Sequence, residues 1–105
     1  MLLANQTALV TGAGRGIGRG IALAFAQQGC DLAIAARSAD ELAETAEGIR
    51  AIGRRAVVIP CDIASPAAVA AMAETALAEL GRVDILVNNA GYACFKPFGE
   101  LTLDE

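Results

Sequence analysis

Apolar residues along this chain fall into two alternating patterns. Four short runs are almost continuously apolar: TALV at 7–10, DLAIAA at 31–36, AVVI at 56–59 and VDILVN at 83–88. Between them, apolar residues recur every three or four positions, the period of a helix face. In the first of these stretches Ile17, Ile21, Ala24 and Phe25 share one face, and Gly29 closes it. The second opens at Ser38, which stands ahead of Glu41 in capping-box spacing. It carries Leu42, Ala46 and Ile49 on one face and runs to Gly53, with Gly48 a local weakness of about 1 kcal/mol relative to alanine. The third has Ser65 as N-cap and Pro66 at the first helical position. Val69, Met72, Ala76 and Leu80 then follow one face up to Gly81.

Strands this apolar, without alternation, are covered on both faces. With helices between them, the solution is a parallel sheet built by right-handed crossovers. The pattern predicts βαβαβαβ, the N-terminal half of a doubly wound α/β fold. No repeat, linker or low-complexity tract interrupts it.

Composition changes this picture little. The 105 residues bound the chain to one domain. Hydrophobic residues make up 55% of it, yet no stretch reaches the roughly 18 uncharged apolar residues of a membrane span. The longest alanine-rich stretch is broken by Glu74 and Glu79. The N-terminus MLLANQTALV lacks a basic region and a small-residue cleavage site, so a cytoplasmic protein with no membrane partner is expected. A net charge of −4 argues against nucleic acid. The absence of histidine removes the usual zinc sites and every His-activated nucleophile, and no metal is expected. Cys30, Cys61 and Cys94 form no CxxC pair and read as small core residues in a reducing compartment.

The candidate chemistry begins at TGAGRGIG, residues 11–18, directly after the first strand. It is not a P-loop, because no register supplies the lysine, and it is not G-x-G-x-x-G. It fits T-G-x-x-x-G-x-G through Thr11, Gly12, Gly16 and Gly18. A glycine-rich turn between a strand and a helix suits a pyrophosphate on the helix N-terminus. Gly12 would allow the tight turn, Gly16 close approach of the backbone, and Gly18 close packing of helix on sheet. Standing alone, the same residues also read as an ordinary βα turn.

Two further motifs follow in order: CDIAS at 61–65 after the third strand and NNAG at 88–91 after the fourth. With them the whole chain resembles the N-terminal portion of the classical short-chain dehydrogenase/reductase family, with Ala64 where the family has Ser or Thr. The resemblance implies a Rossmann-like NAD(P)-binding domain spanning 1–105, with strand order 3-2-1-4, incomplete at its C-terminus. The outer edge of the fourth strand is then expected to be unpaired. By resemblance Arg15, Gly16, Ile17 and Gly18 join Gly12 around the cofactor. Asp62 would accept from the adenine amino group beside the Ile63 backbone. Asn88 would brace the fourth strand, and Asn89, Ala90 and Gly91 would line the floor beneath the nicotinamide ribose.

The end of the second strand bears on cofactor choice. Where an NAD site wants an acid for the ribose 2′-OH, this chain has Ala36 followed by Arg37. A guanidinium grips a 2′-phosphate with forked, charge-assisted hydrogen bonds, and Arg15 could close on it from the glycine loop. NADP is expected over NAD, with solvated surface charge the alternative for either arginine.

Tyr92 and Lys96 have the Y-x-x-x-K spacing that the family uses for catalysis, but they lie between Gly91 and Pro97 just after a strand. A helix is needed to bring residues four apart onto one face, so this pair reads as a loop and no catalytic residue is assigned. Thr102 and Glu105 form a capping box for a helix that does not follow. The expected protein is an NADP(H)-dependent oxidoreductase moving a hydride between nicotinamide and a small carbonyl or alcohol substrate. These 105 residues alone would then be an inactive cofactor-binding part of a homo-oligomeric parent. The alternative is a non-catalytic dinucleotide-binding or regulatory module.

Overall fold

A computed structural model describes residues 3–89 and the backbone of 95–96. In chain order the elements are β1 (Thr7–Thr11), α1 (Gly16–Gln27), β2 (Asp31–Ala36), α2 (Ala39–Ile52), β3 (Ala56–Pro60), α3 (Pro66–Leu80), β4 (Ile85–Asn88) and β5 (Phe95–Lys96). The sheet order is β3-β2-β1-β4-β5. The first four strands are parallel, with Leu9 opposite Ala33 on one side and Leu86 on the other. The βαβαβαβ expectation therefore holds. The expected bare edge does not: β5 pairs antiparallel with β4, Lys96 opposite Leu86 and Phe95 opposite Val87.

Successive strand residues point to opposite faces, and both faces are covered. Ala8, Val10, Leu32, Ile34 and Val87 pack under α1 and α2 against Ala22, Ala26, Leu42, Ala46 and Ile49. Leu9, Ala33, Ala35 and Ile59 pack on the other face against Met72 and Ala76 of α3. The inward faces of α2 and α3 are the ones their periodicity predicts. That of α1 is not. Its buried residues are Gly18, Ala22 and Ala26, while Ile17 is 75% exposed and Ala24 is exposed.

The reason is distance. A Cβ on Gly18 would stand 1.9 Å from the Gly12 carbonyl oxygen and 2.9 Å from the Asn89 side-chain nitrogen. The helix lies so close to the end of β1 that only the smallest side chains fit between them; Ile21, Leu23 and Phe25 pack at the flanks of the core, and Ile17 is turned out. Gly48 has a packing reason too: its missing Cβ leaves room for Leu23, which would otherwise be 2.8 Å away.

Side chains lock β1 to β4 at both ends. At the entry, the Thr7 N–H donates to Asp84 Oδ2 at 2.9 Å and the Thr7 hydroxyl lies 3.1 Å from the same oxygen. Arg82 Nε donates to it as well, at 3.1 Å. Burial pushes the Asp84 carboxyl up, but the Thr7 and Arg82 bonds outweigh it and hold the group below its ordinary value of 3.8. At the exit, the Thr11 hydroxyl reaches Asn88 Oδ1 at 3.1 Å and accepts from the Asn89 N–H at 3.0 Å.

Two outcomes follow from these contacts. Gly18→Ala leaves the new methyl against backbone that cannot swing aside, so urea unfolding should show a loss of at least about 1–3 kcal/mol. A carboxyl depressed in the folded state contributes stability that is full above its unfolded pKa and lost as pH falls through the folded one. Asp84→Asn should therefore destabilise the protein at neutral pH, and the gap to the unmutated protein should close as pH falls below 3.8. A gap that stays constant down to about pH 2 would show that Asp84 does not carry this linkage.

Candidate cofactor-binding site

The carboxyl ends of the parallel strands open onto a cleft of about 440 Å³. Such crevices are where ligands bind in open parallel sheets. Its walls come from the turn after β1 (Thr11, Gly12, Gly14, Arg15), the end of β2 (Ala36, Arg37, Ser38) and the turn after β3 (Asp62, Ile63, Ala64). Asn89 after β4 completes it.

The glycine loop has the geometry of a cradle. Gly12 turns the chain at φ +66°, with its missing Cβ 3.1 Å from the Asn89 carbonyl oxygen. Gly16 has φ +60° and open space where its side chain would be. Gly12 thus serves both the turn and a close approach, and Gly16 keeps a positive φ beside open space. Gly18 packs against the loop itself rather than against the broad sheet face.

The loop leads into the start of α1, where Arg15 is the N-cap, makes no side-chain capping bond, and is followed by no acidic residue in the first turn. In α2 and α3 that role is filled by Ser38, accepting from the Glu41 N–H, and Ser65, accepting from the Ala68 N–H, each at 3.2 Å. The uncapped N–H groups and the helix dipole at α1 favour an anion. Positive φ at two glycines, a close backbone junction and an uncapped helix start fit a pyrophosphate at this end of the cleft.

Both candidate arginines line the cleft. Arg37 is exposed and has no ion-pair partner among the described residues. Arg15, 83% exposed in its side chain, lies 3.9 Å from the Glu41 carboxylate, a distance and exposure that make a weak pair. Asp62 turns one carboxylate oxygen back to the Ala64 N–H at 3.0 Å, shaping the loop that presents it. Ile63 is half-exposed at the cleft wall. Cys61 also lines the cleft; its thiol lies 3.5 Å from the Ala68 carbonyl, and burial together with the Asp62 charge pushes its pKa up, so it stays a neutral thiol. Cys30, deep in the core, is pushed up to about 12 by burial and by the charges of Asp31 and Asp84.

Asn88 braces as expected, through its side chain to Thr11 of β1. Ile17 stands at the exposed start of α1 rather than in the core. Ala90, Gly91 and Tyr92, with Thr102 and Glu105, lie outside the described residues. Lys96 falls on β5 instead of a loop, so its backbone is extended. Sequence reasoning passed over Ser38 and Glu41 as site residues because their cap spacing already accounted for them. Thr11 was legible only as a motif letter.

Comparison with known proteins agrees with this fold. Residues 6–105 match the short chain dehydrogenase family. An uncharacterized oxidoreductase of Mycobacterium tuberculosis is 49% identical over 89 residues, covering 85% of this chain and 34% of the relative. The crystal structure of a hydroxysteroid dehydrogenase from Escherichia coli superposes with a TM-score of 0.82 at 42% identity, covering 85% of this chain and 37% of that one. A 3-ketoacyl-(acyl-carrier-protein) reductase from Brucella melitensis, solved with NADH, gives 0.74 at 40% identity over 81% of this chain and 34% of its own. The chain thus spans little more than a third of the length of such relatives. By its glycine loop, its parallel sheet and the match across nearly all its residues, the chain belongs to the short-chain dehydrogenase family.

Proposed function

We propose that this chain forms the cofactor-binding part of an NADP(H)-dependent oxidoreductase acting on a small carbonyl or alcohol. When bound, the nicotinamide supplies or takes up a hydride at the substrate carbon. In this reading the residues of the cleft bind and orient. The α1 start and the glycine loop hold the pyrophosphate, and Asp62 with Ile63 meets the adenine. Asn89, Ala90 and Gly91 form the floor near the nicotinamide ribose. The group that handles the proton, and the pocket that selects the substrate, are assigned to the rest of a longer protein.

The observation that carries NADP is the joint presence of Arg15 and Arg37 on one cleft, with Ala36 where a carboxylate would have excluded a 2′-phosphate. A guanidinium offers that phosphate paired, charge-assisted hydrogen bonds. Ser38 lines the same cleft and adds a hydroxyl donor. The related reductase solved with NADH makes a direct comparison of both cofactors the necessary test.

In the intact protein, fluorescence titration should show tighter binding of NADPH than of NADH. Losing one charged partner costs about 1.5–3 kcal/mol, so Arg37→Asp should weaken NADPH by at least about 10-fold and leave NADH nearly unchanged. Equal affinity for the two cofactors in the unmutated protein would sink the assignment.

A further inference from the structure

Two side chains outside the cleft grip the glycine loop from behind. Arg19, on α1, donates from Nη2 to the Gly14 carbonyl at 2.7 Å and from Nε to the Thr45 hydroxyl at 3.1 Å. Thr45, on α2, donates to the Ala13 carbonyl at 2.9 Å. Two consecutive loop carbonyls are therefore tied to two helices through one connected chain of hydrogen bonds. Glu44 Oε2 accepts from the same Nη2 at 3.2 Å.

Packing alone does not explain this arrangement. Thr45 is 1% exposed, and a buried hydroxyl is costly unless it is satisfied. A threonine in a helix ordinarily bonds back to the carbonyl four residues earlier. Here that carbonyl, of Glu41, is 3.3 Å away, and the hydroxyl lies closer to the loop than to its own helix. Arg19 sits in the first turn of α1, where a cation opposes the helix dipole. Both residues are placed against their local preference, and what they share is the loop.

We propose that Arg19 and Thr45 are positioning residues that preorganise the loop for a dinucleotide pyrophosphate, an inference that rests on the nicotinamide-cofactor reading of the cleft. The peptide unit is planar and trans, so a carbonyl and the N–H of the next residue point in opposite directions. Fixing the Ala13 and Gly14 carbonyls therefore fixes the N–H groups of Gly14 and Arg15, at the residues that line the cleft. Donors held in place before a ligand arrives lose less freedom on binding it.

The pyrophosphate is common to NADPH and NADH, which separates this proposal from the choice between them. Thr45→Val keeps the shape and removes the hydroxyl, whereas Thr45→Ser keeps the hydroxyl. In fluorescence titrations of the intact protein, Thr45→Val and Arg19→Gln should each weaken NADPH and NADH by the same factor, about 10-fold, with their ratio unchanged. Thr45→Ser should bind within about twofold of the unmutated protein, and far-UV circular dichroism at the titration temperature should show all variants folded. Arg19 is half-exposed, so its variant decides the matter even should Thr45→Val fail to fold. Unchanged affinity in folded Arg19→Gln and Thr45→Val, or a failure of Thr45→Ser to restore binding, overturns the proposal alone. An unmutated protein that binds neither dinucleotide overturns the cofactor reading and this inference together.

Discussion

The contact between Gly18 and Gly12 is the constraint on which the rest depends. Helix α1 begins almost on top of the chain leaving β1, with no room for one more carbon between them. From this come the small-residue inner face of α1, the outward turn of Ile17, and the tight loop between strand and helix. Asn89 meets both glycines at the same point, so the end of β4 is drawn into the junction. The loop, the helix start and the fourth strand form a single backbone knot, and the cleft is the space above it.

Hydrogen bonds carry that knot into the sheet. Thr11 ties β1 to the residues ending β4, and Thr7 with Asp84 ties the same two strands at their other end. With both ends fixed, β4 cannot slip in register against β1. The groups at the strand ends consequently arrive at the cleft in a set relation to one another. The charges around it are mixed rather than uniform, because Arg15 and Arg37 share the opening with Glu41 and Asp62. An anion at this site is met by particular groups, not by a broad positive field.

Much of this was legible in the sequence, for identifiable reasons. Continuous apolar runs marked the strands because both faces of a parallel sheet are buried, and serine caps marked where α2 and α3 begin. The motif order placed Gly12, Asp62 and Asn89 at strand ends, where the structure brings them together. The innermost face of α1 differs from its periodicity because periodicity favours the largest apolar residues, and close packing at Gly18, Ala22 and Ala26 favours the smallest, leaving Ile21 and Phe25 at its flank. Strand β5 is not legible because two residues carry no pattern, and Lys96 accordingly reads as loop in the sequence. Arg19 and Thr45 gave no local signal at all. They belong to different helices, and only the tertiary fold makes them neighbours.

Ile17 shows what the tight junction entails for solvent. Because Gly18 must face inward, the preceding isoleucine is turned out, and most of its surface is left in water at the head of α1. Ordered hydration of an apolar side chain raises the heat capacity, and covering it lowers that quantity. A ligand whose flat ring or chain rests on Ile17 would therefore bind with a negative heat-capacity change, added to whatever its charged groups contribute. Its binding enthalpy would then grow more favourable as the temperature rises, a thermal signature that originates in the missing carbon at Gly18.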